Sequence, residues 1–135
     1  MSLTKIPESH ADLLQDDVQA YAYLATIMKD NSPQLTPVWF NTSEEFILLN
    51  SAKGRVKDRN MRRRSHIALV IQDPQNPFRY IQVRGQIVEI TEEGAREHID
   101  ILAGKYTGKA KYSLNDPNEI RVKYKLRPDR VQVLG

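Results

Sequence analysis

A chain of 135 residues with a net charge of +3 and no cysteine has the length of one domain, and such a domain buries about two thirds of its unfolded surface without covalent staples. The missing cysteines exclude disulfides, thiolate nucleophiles and thiolate metal sites, and fit a reducing cytoplasm. The N-terminus has no apolar leader, and the longest aliphatic run, Ile67-Ala68-Leu69-Val70-Ile71, is too short for a bilayer. The expectation is a soluble, cytoplasmic, single domain over residues 1–135 with no membrane partner.

A first helix starts near Ser9, a candidate cap. Asp12 suits its positive end, and Leu13, Leu14 and Val18 supply apolar contacts. Residues 21–28 are aromatic and β-branched and read as a strand. A turn cluster at 29–33 leads to a second strand, 34–40, which Pro37 confines to an edge or a bulge. Residues 41–44 read as a turn and 45–50 as a third strand. Residues 55–64 read as a short helix with thin apolar content, Val56 and Met61. The fourth strand is 66–72. Pro74 and Pro77 break the next loop, and 78–90 is a long strand bent at Gly85.

Thr91 is a candidate cap for another helix, with Glu92 and Glu93 in its first turn and Ala95, Ile99 and Leu102 on one face. Finally Arg121, Lys123, Lys125 and Arg127 alternate with Val122, Tyr124 and Leu126. That is a half-buried strand with a solvated basic face. It is interrupted at 127–129 and resumes at 131–134. Six strands, two or three helices and many short turns favour antiparallel pairing, a mainly β barrel with helices outside.

Charge is not spread evenly. Residues 53–64 hold seven basic side chains and one acid, whereas the rest of the chain is net negative. This segment follows the strand Phe46-Ile47-Leu48-Leu49 and surrounds Gly54. Self-contained catalysis has no support: His10, His66 and His98 are dispersed, and no nucleophile elbow, P-loop or dinucleotide fingerprint is present. A bound cofactor is the better carrier of any reaction. The basic segment itself has three readings. It is a solvated helix; or a nucleic-acid contact, against which stands the lack of any stacking aromatic between Asn50 and Ser65; or a seat for an anionic cofactor. In the last, Gly54 lets backbone N–H groups approach the anion, the helix start adds its dipole, and Arg55 and Lys57 donate charged hydrogen bonds. Trp39, the sole tryptophan, is either a core or edge residue or a wall for a planar ring.

The blocks Tyr23-Leu24-Ala25-Thr26, Ser32 to Phe40 and Asn50 to Asn60 resemble the pyridoxamine-phosphate-oxidase-like family of FMN-binding split β-barrels. Tyr80 to Gly85, Lys105-Tyr106-Thr107-Gly108 and Arg127 to Val131 follow in the same order. The similarity is greatest to the branch that uses the deazaflavin coenzyme F420. The resemblance implies a six-stranded antiparallel split β-barrel with flanking helices, assembled as a homodimer with cofactor sites between subunits. It implies an oxidoreductase moving a hydride from reduced F420, or alternatively FMN, to a small conjugated substrate, without nucleic acid. A non-catalytic cofactor carrier is another alternative. By similarity Ser51, Lys53, Gly54, Arg55 and Lys57 surround the cofactor phosphate. Thr36, Pro37 and Val38 line the ring, Gln82 reaches it from the partner, and Asn60 steadies the phosphate helix. No catalytic residue is implied. True pyridoxamine-phosphate oxidases carry an arginine-rich substrate signature near the C-terminus, of which Leu134-Gly135 shows no clear version.

Overall fold

The structure is a computed structural model that describes residues 3–135. Met1 and Ser2 lie outside the described residues. Seven strands form one antiparallel sheet: β1 (Ala22–Ile27), β2 (Pro33–Val38), β3 (Asn41–Ser43), β4 (Phe46–Ala52), β5 (His66–Asp73), β6 (Asn76–Thr91) and β7 (Arg121–Leu134). Their spatial order is β2-β1-β5-β6-β7-β4-β3. A 3-10 helix (Glu8–Leu14) precedes them, and the helices α1 (Val56–Arg63) and α2 (Ala95–Thr107) follow β4 and β6.

The sheet has two edges, β2 and β3, that are neighbours in sequence. Only Trp39 and Phe40 separate them, and two residues bridge at most about 11 Å between flanking Cα atoms. The sheet must therefore roll until its edges nearly meet, which gives a split barrel whose seam is the Trp39-Phe40 link. Burial alternates along β1, where Ala22, Leu24 and Thr26 point inward. Phe40, Ile47, Leu49, Leu69, Ile71, Ile81, Val83, Tyr124 and Leu126 complete the interior. Helix α2 plugs the seam. Its Tyr106 hydroxyl donates to Ala20 O at 2.6 Å and accepts from Phe40 N–H at 3.3 Å.

Several expectations change. The sheet has seven strands, not six, because the polar stretch Asn41–Ser43, expected as a turn, pairs with β4 from Asn41↔Leu48 to Ser43↔Phe46. Ser9 does not cap the first helix: it lies within the 3-10 turn, and its hydroxyl bonds His10 Nδ1 at 2.8 Å. Asp12 forms an ion pair with Arg79 at 2.7 Å. Thr91 ends β6, its Oγ1 accepting from Glu93 N–H, and α2 starts after Gly94 at φ +73°. Strand β7 is not interrupted at residues 127–129. The register steps from Arg84↔Arg130 to Gly85↔Pro128, so Asp129 bulges out and the strand continues. Gly85 permits that approach, since a Cβ there would collide with the Arg127 carbonyl oxygen. Pro37 does lie in an edge strand, as expected.

Candidate functional site

The basic segment folds back on itself before it faces anything else. Gly54 makes the turn out of β4 at φ +90°, a conformation that suits only glycine, although open space surrounds the position. Its N–H donates to Asp58 Oδ2 at 2.9 Å. Asp58 is buried on the first turn of α1 and also accepts from the Tyr124 hydroxyl at 2.5 Å and from Arg62 Nε at 3.1 Å. Burial alone would raise its carboxyl, but the Gly54, Tyr124 and Arg62 bonds outweigh that and hold it below the usual carboxylate value. Burial and this hydrogen bond in turn push the Tyr124 hydroxyl up. Gly54 thus shapes the turn, and its amide is spent on Asp58 rather than free for an anion. Asn60 is buried too. Its Nδ2 donates to Thr26 Oγ1 at 3.0 Å and tethers α1 to β1.

A cavity of about 280 Å³ opens beside the seam. Its apolar and aromatic lining comes from Tyr21, Pro37, Val38, Trp39, Ile99, Leu102 and Tyr112. Its polar lining comes from Asn50, Arg55, Lys57 and Arg121. Trp39 stacks on Tyr106 with ring centroids 5.3 Å apart and planes at 4°, and it meets Tyr112 edge-on at 6.0 Å. Tyr112 lies in the connection between α2 and β7. Its N–H donates to Asp100 Oδ1 at 2.8 Å and its carbonyl accepts from Arg96, so α2 fixes this part of the wall. On the cationic side Lys57 is half-buried, with no carboxylate paired to it among the described residues. Burial, then the charges of Arg55 and Arg121, lower its pKa from the ordinary lysine value of 10.5. A site that penalises its own ammonium in this way favours an incoming anion.

The sequence profile of the pyridoxamine 5'-phosphate oxidase family matches residues 6–135. The chain belongs to the pyridoxamine 5'-phosphate oxidase family. Membership sets the class of chemistry as oxidoreductase, of flavin type. A solved F420 reductase is 28% identical, with 94% of this chain and 98% of that one covered and a TM-score of 0.80. A conserved hypothetical protein of Mycobacterium tuberculosis is 21% identical over 99% of this chain and 88% of its own, TM-score 0.69. A proposed pyridoxamine 5'-phosphate oxidase of Listeria innocua is 19% identical over 94% and 96%, TM-score 0.69. The last two bear on the fold alone. No curated protein matches the chain.

Of the residues that the family resemblance marks, Pro37, Val38, Arg55 and Lys57 meet in the cavity. Thr36 and Ser51 are not in its lining, but each has a buried hydroxyl without a hydrogen-bond partner. A flavin-type ligand with a phosphate fits the lining of this cavity: it offers acceptors for Arg55 and Lys57 and a ring for the aromatic side chains. Lys53 stands outside, its ammonium 2.9 Å from Glu92. Gln82 lies on β6 between the inward-facing Ile81 and Val83, on the opposite face of the sheet from the core. Arg62, Arg63 and Arg64 bond Asp58, Asn60 and Met28 O respectively. Asn50, Tyr112 and Arg121 line the cavity without a signal of that role in the sequence. Asn50 reads as the end of a strand. Alternation with Lys123 and Lys125 puts Arg121 on a solvated face, yet its side chain is 4% exposed. The nearest signal was the acid two residues before it, Glu119, to which it bonds.

The three histidines keep structural roles or none. His98 is buried; its Nδ1 accepts from Asn50 Nδ2 at 3.0 Å and its Nε2 donates to Asn41 Oδ1 at 2.8 Å. Burial, with help from the charges of Lys123 and Arg121, lowers its pKa to about 4. His10 bonds Leu134 O, and His66 is exposed. No group of three metal-ligating side chains occurs among the described residues. No helix is long and apolar enough to cross a membrane.

Proposed function

We propose that the protein is an F420-dependent reductase that delivers a hydride to a small conjugated organic substrate, and that it works as a homodimer. The observation that carries this reading is the mixed cavity, which brings Pro37, Trp39 and Tyr112 together with Arg55 and Lys57. The likeness to the F420 reductase, at 28% identity over nearly both chains, supports the deazaflavin over FMN. The coenzyme supplies the hydride chemistry when bound. The chain binds and orients it: Lys57 and Arg55 hold the anionic group, and Pro37 and Val38 flank the ring. Trp39 and Tyr112 exclude water from the same side. Fixed donors of this kind strengthen in a dry cavity.

The homodimer reading draws on the outer sheet face. Ala25, Ile27, Ile67 and Ala68 form an apolar depression there beside Arg84 and Arg130, and Leu35 on the edge strand is 66% exposed. Gln82 lies on that same face, from which it would reach a partner's site in the proposed homodimer. Sedimentation of the purified protein at micromolar concentration gives twice the chain mass if this is right; a monomer at all concentrations overturns it.

Titration with F420 and with FMN tests the cofactor, read by quenching of Trp39, the only tryptophan. Saturable F420 binding followed by substrate-dependent oxidation of the reduced coenzyme is expected. Tight FMN binding without F420 binding makes the protein a flavin enzyme instead. Binding without turnover over quinones and enones makes it a carrier.

A further inference from the structure

The cavity has a third cation, at the start of β7, that no resemblance marks. The Arg121 side chain is 4% exposed, and two of the three guanidinium nitrogens are held. Nε donates to Asn50 Oδ1 at 2.9 Å, and Nη1 donates to Glu119 Oε2 at 2.7 Å. One face lies 5.0 Å from the Tyr112 ring. Nη2 has no hydrogen-bond partner among the described residues, and the side chain lines the cavity with Arg55 and Lys57. Among the described residues Glu119 is the carboxylate ion-paired with these cations: its other oxygen is 3.7 Å from Arg55. Three cations around one carboxylate leave an excess of two positive charges. A purely structural arginine buried here would be balanced by its own acid; this one shares its acid with Arg55 and adds to the field that depresses Lys57.

We propose that Arg121 is a specificity-determining contact for the anionic group of the ligand, and that Asn50 and His98 are positioning residues that hold it in place. The ligand group is a dianionic oxyanion: a phosphomonoester, or a phosphodiester with an adjacent carboxylate. The proposal rests on the anionic-cofactor reading above and goes beyond it in naming the residue that completes the charge match.

The relay behind Arg121 has one consistent hydrogen arrangement. Because Asn50 Oδ1 accepts from Arg121, its Nδ2 must point away, where it donates to Ala95 O at 2.9 Å and to His98 Nδ1 at 3.0 Å. His98 must then carry its single proton on Nε2, which donates to Asn41 Oδ1. Strands β3, β4 and β7 and helix α2 are thus joined by one chain of bonds that ends on the cavity cation. A glutamine at position 98 can copy both bonds of the neutral imidazole; a leucine can copy neither.

Calorimetric titration of F420 and FMN into the wild type, Lys57→Ala, Arg121→Gln, Arg121→Lys, His98→Gln and His98→Leu, at several salt concentrations, tests this. Arg121→Gln is expected to weaken the ligand that the wild type binds by about 10- to 100-fold and to flatten its salt dependence. Arg121→Lys keeps the charge but not the fork, so it keeps the salt dependence and loses only part of the affinity. Affinity falls in His98→Leu and returns in His98→Gln, a rescue that a merely space-filling side chain would not show. If Arg121→Gln fails to fold, the salt dependence and affinity of Arg121→Lys decide, and wild-type affinity in it counts against the proposal. Wild-type affinity and salt slope in Arg121→Gln, with Lys57→Ala still impaired, overturn the proposal and leave the cofactor reading standing. Which ligand binds separates the two oxyanion sources; a wild type that binds neither overturns both readings.

Discussion

The two halves of the basic segment use the same residue types for opposite purposes. Arg55 and Lys57, at the start of α1, face the cavity with little or no compensation from acids. Arg62, Arg63 and Arg64, at its end, are consumed by the chain itself through Asp58, Asn60 and the Met28 carbonyl. Between them Asp58 works in both directions, accepting from the Gly54 turn on one side and from Arg62 on the other. Local charge density is therefore a poor guide to binding. Within this segment, the cations offered to the cavity are those that acceptors of the protein leave least occupied.

Removing the hinge of that comparison has the largest effect. Asp58→Ala leaves the buried Tyr124 hydroxyl and the Gly54 amide without their acceptor, and the expected loss is about 3 kcal/mol or more, read as a lower Tm. In the wild type the same carboxyl titrates below its ordinary value of 3.8, so its contribution is present above that pH. It is lost as the pH falls through the lower folded value. Denaturant midpoints that stay level through this acid range in wild type would show that Asp58 does not pin the helix.

The His98 relay gives the next effect. A histidine with an ordinary value of 6.5 lowered to about 4 binds fewer protons folded than unfolded between those limits. Stability is level above pH 6.5 and declines as the pH drops toward 4, by roughly 3 kcal/mol in all. His98→Gln removes that slope; an identical slope in the variant would place its origin elsewhere. Lys57→Ala comes third, with a weakening of anionic-ligand binding worth about 1.5–3 kcal/mol and an unchanged fold. Because the free ammonium is depressed below 10.5 and an anion restores it, wild-type binding takes up protons in alkaline buffer and weakens as the pH rises through that lowered value. The smallest effect belongs to Arg63→Ala, which should shift stability and ligand affinity by no more than about 0.5 kcal/mol. A loss of affinity comparable to Lys57→Ala would collapse the distinction between the halves.

The sequence made much of the fold legible, for reasons that are local. Strict alternation announced β7, β-branched and aromatic density announced β1 and β5, and proline placed β2 at an edge. Asn41–Ser43 was not legible, because three polar residues carry no strand signal until β4 offers them a partner. The Asp129 bulge was hidden for a similar reason: Pro128 looks like a break, and only the absence of a side chain at Gly85 lets the strand pass. In the candidate site, Arg55 and Lys57 could be picked out by their place after a strand and a glycine. Arg121 could not. Alternation assigns a residue to a face of the sheet, but it does not say that α2 and the Tyr112 segment cover the first rung of that face.

The Trp39-Phe40 link is the only covalent tie between the two free edges of the sheet, and Trp39 is also a wall of the cavity. Barrel closure and ligand occupancy are then the same local equilibrium seen from two sides. A molecule wedged between Trp39 and Lys57 acts as a latch, so backbone amides of β2 and β3 exchange with solvent more slowly when it is in place. Amides deep in β5 and β6 already open only with the whole domain, and gain protection only to the extent that binding stabilises the entire fold.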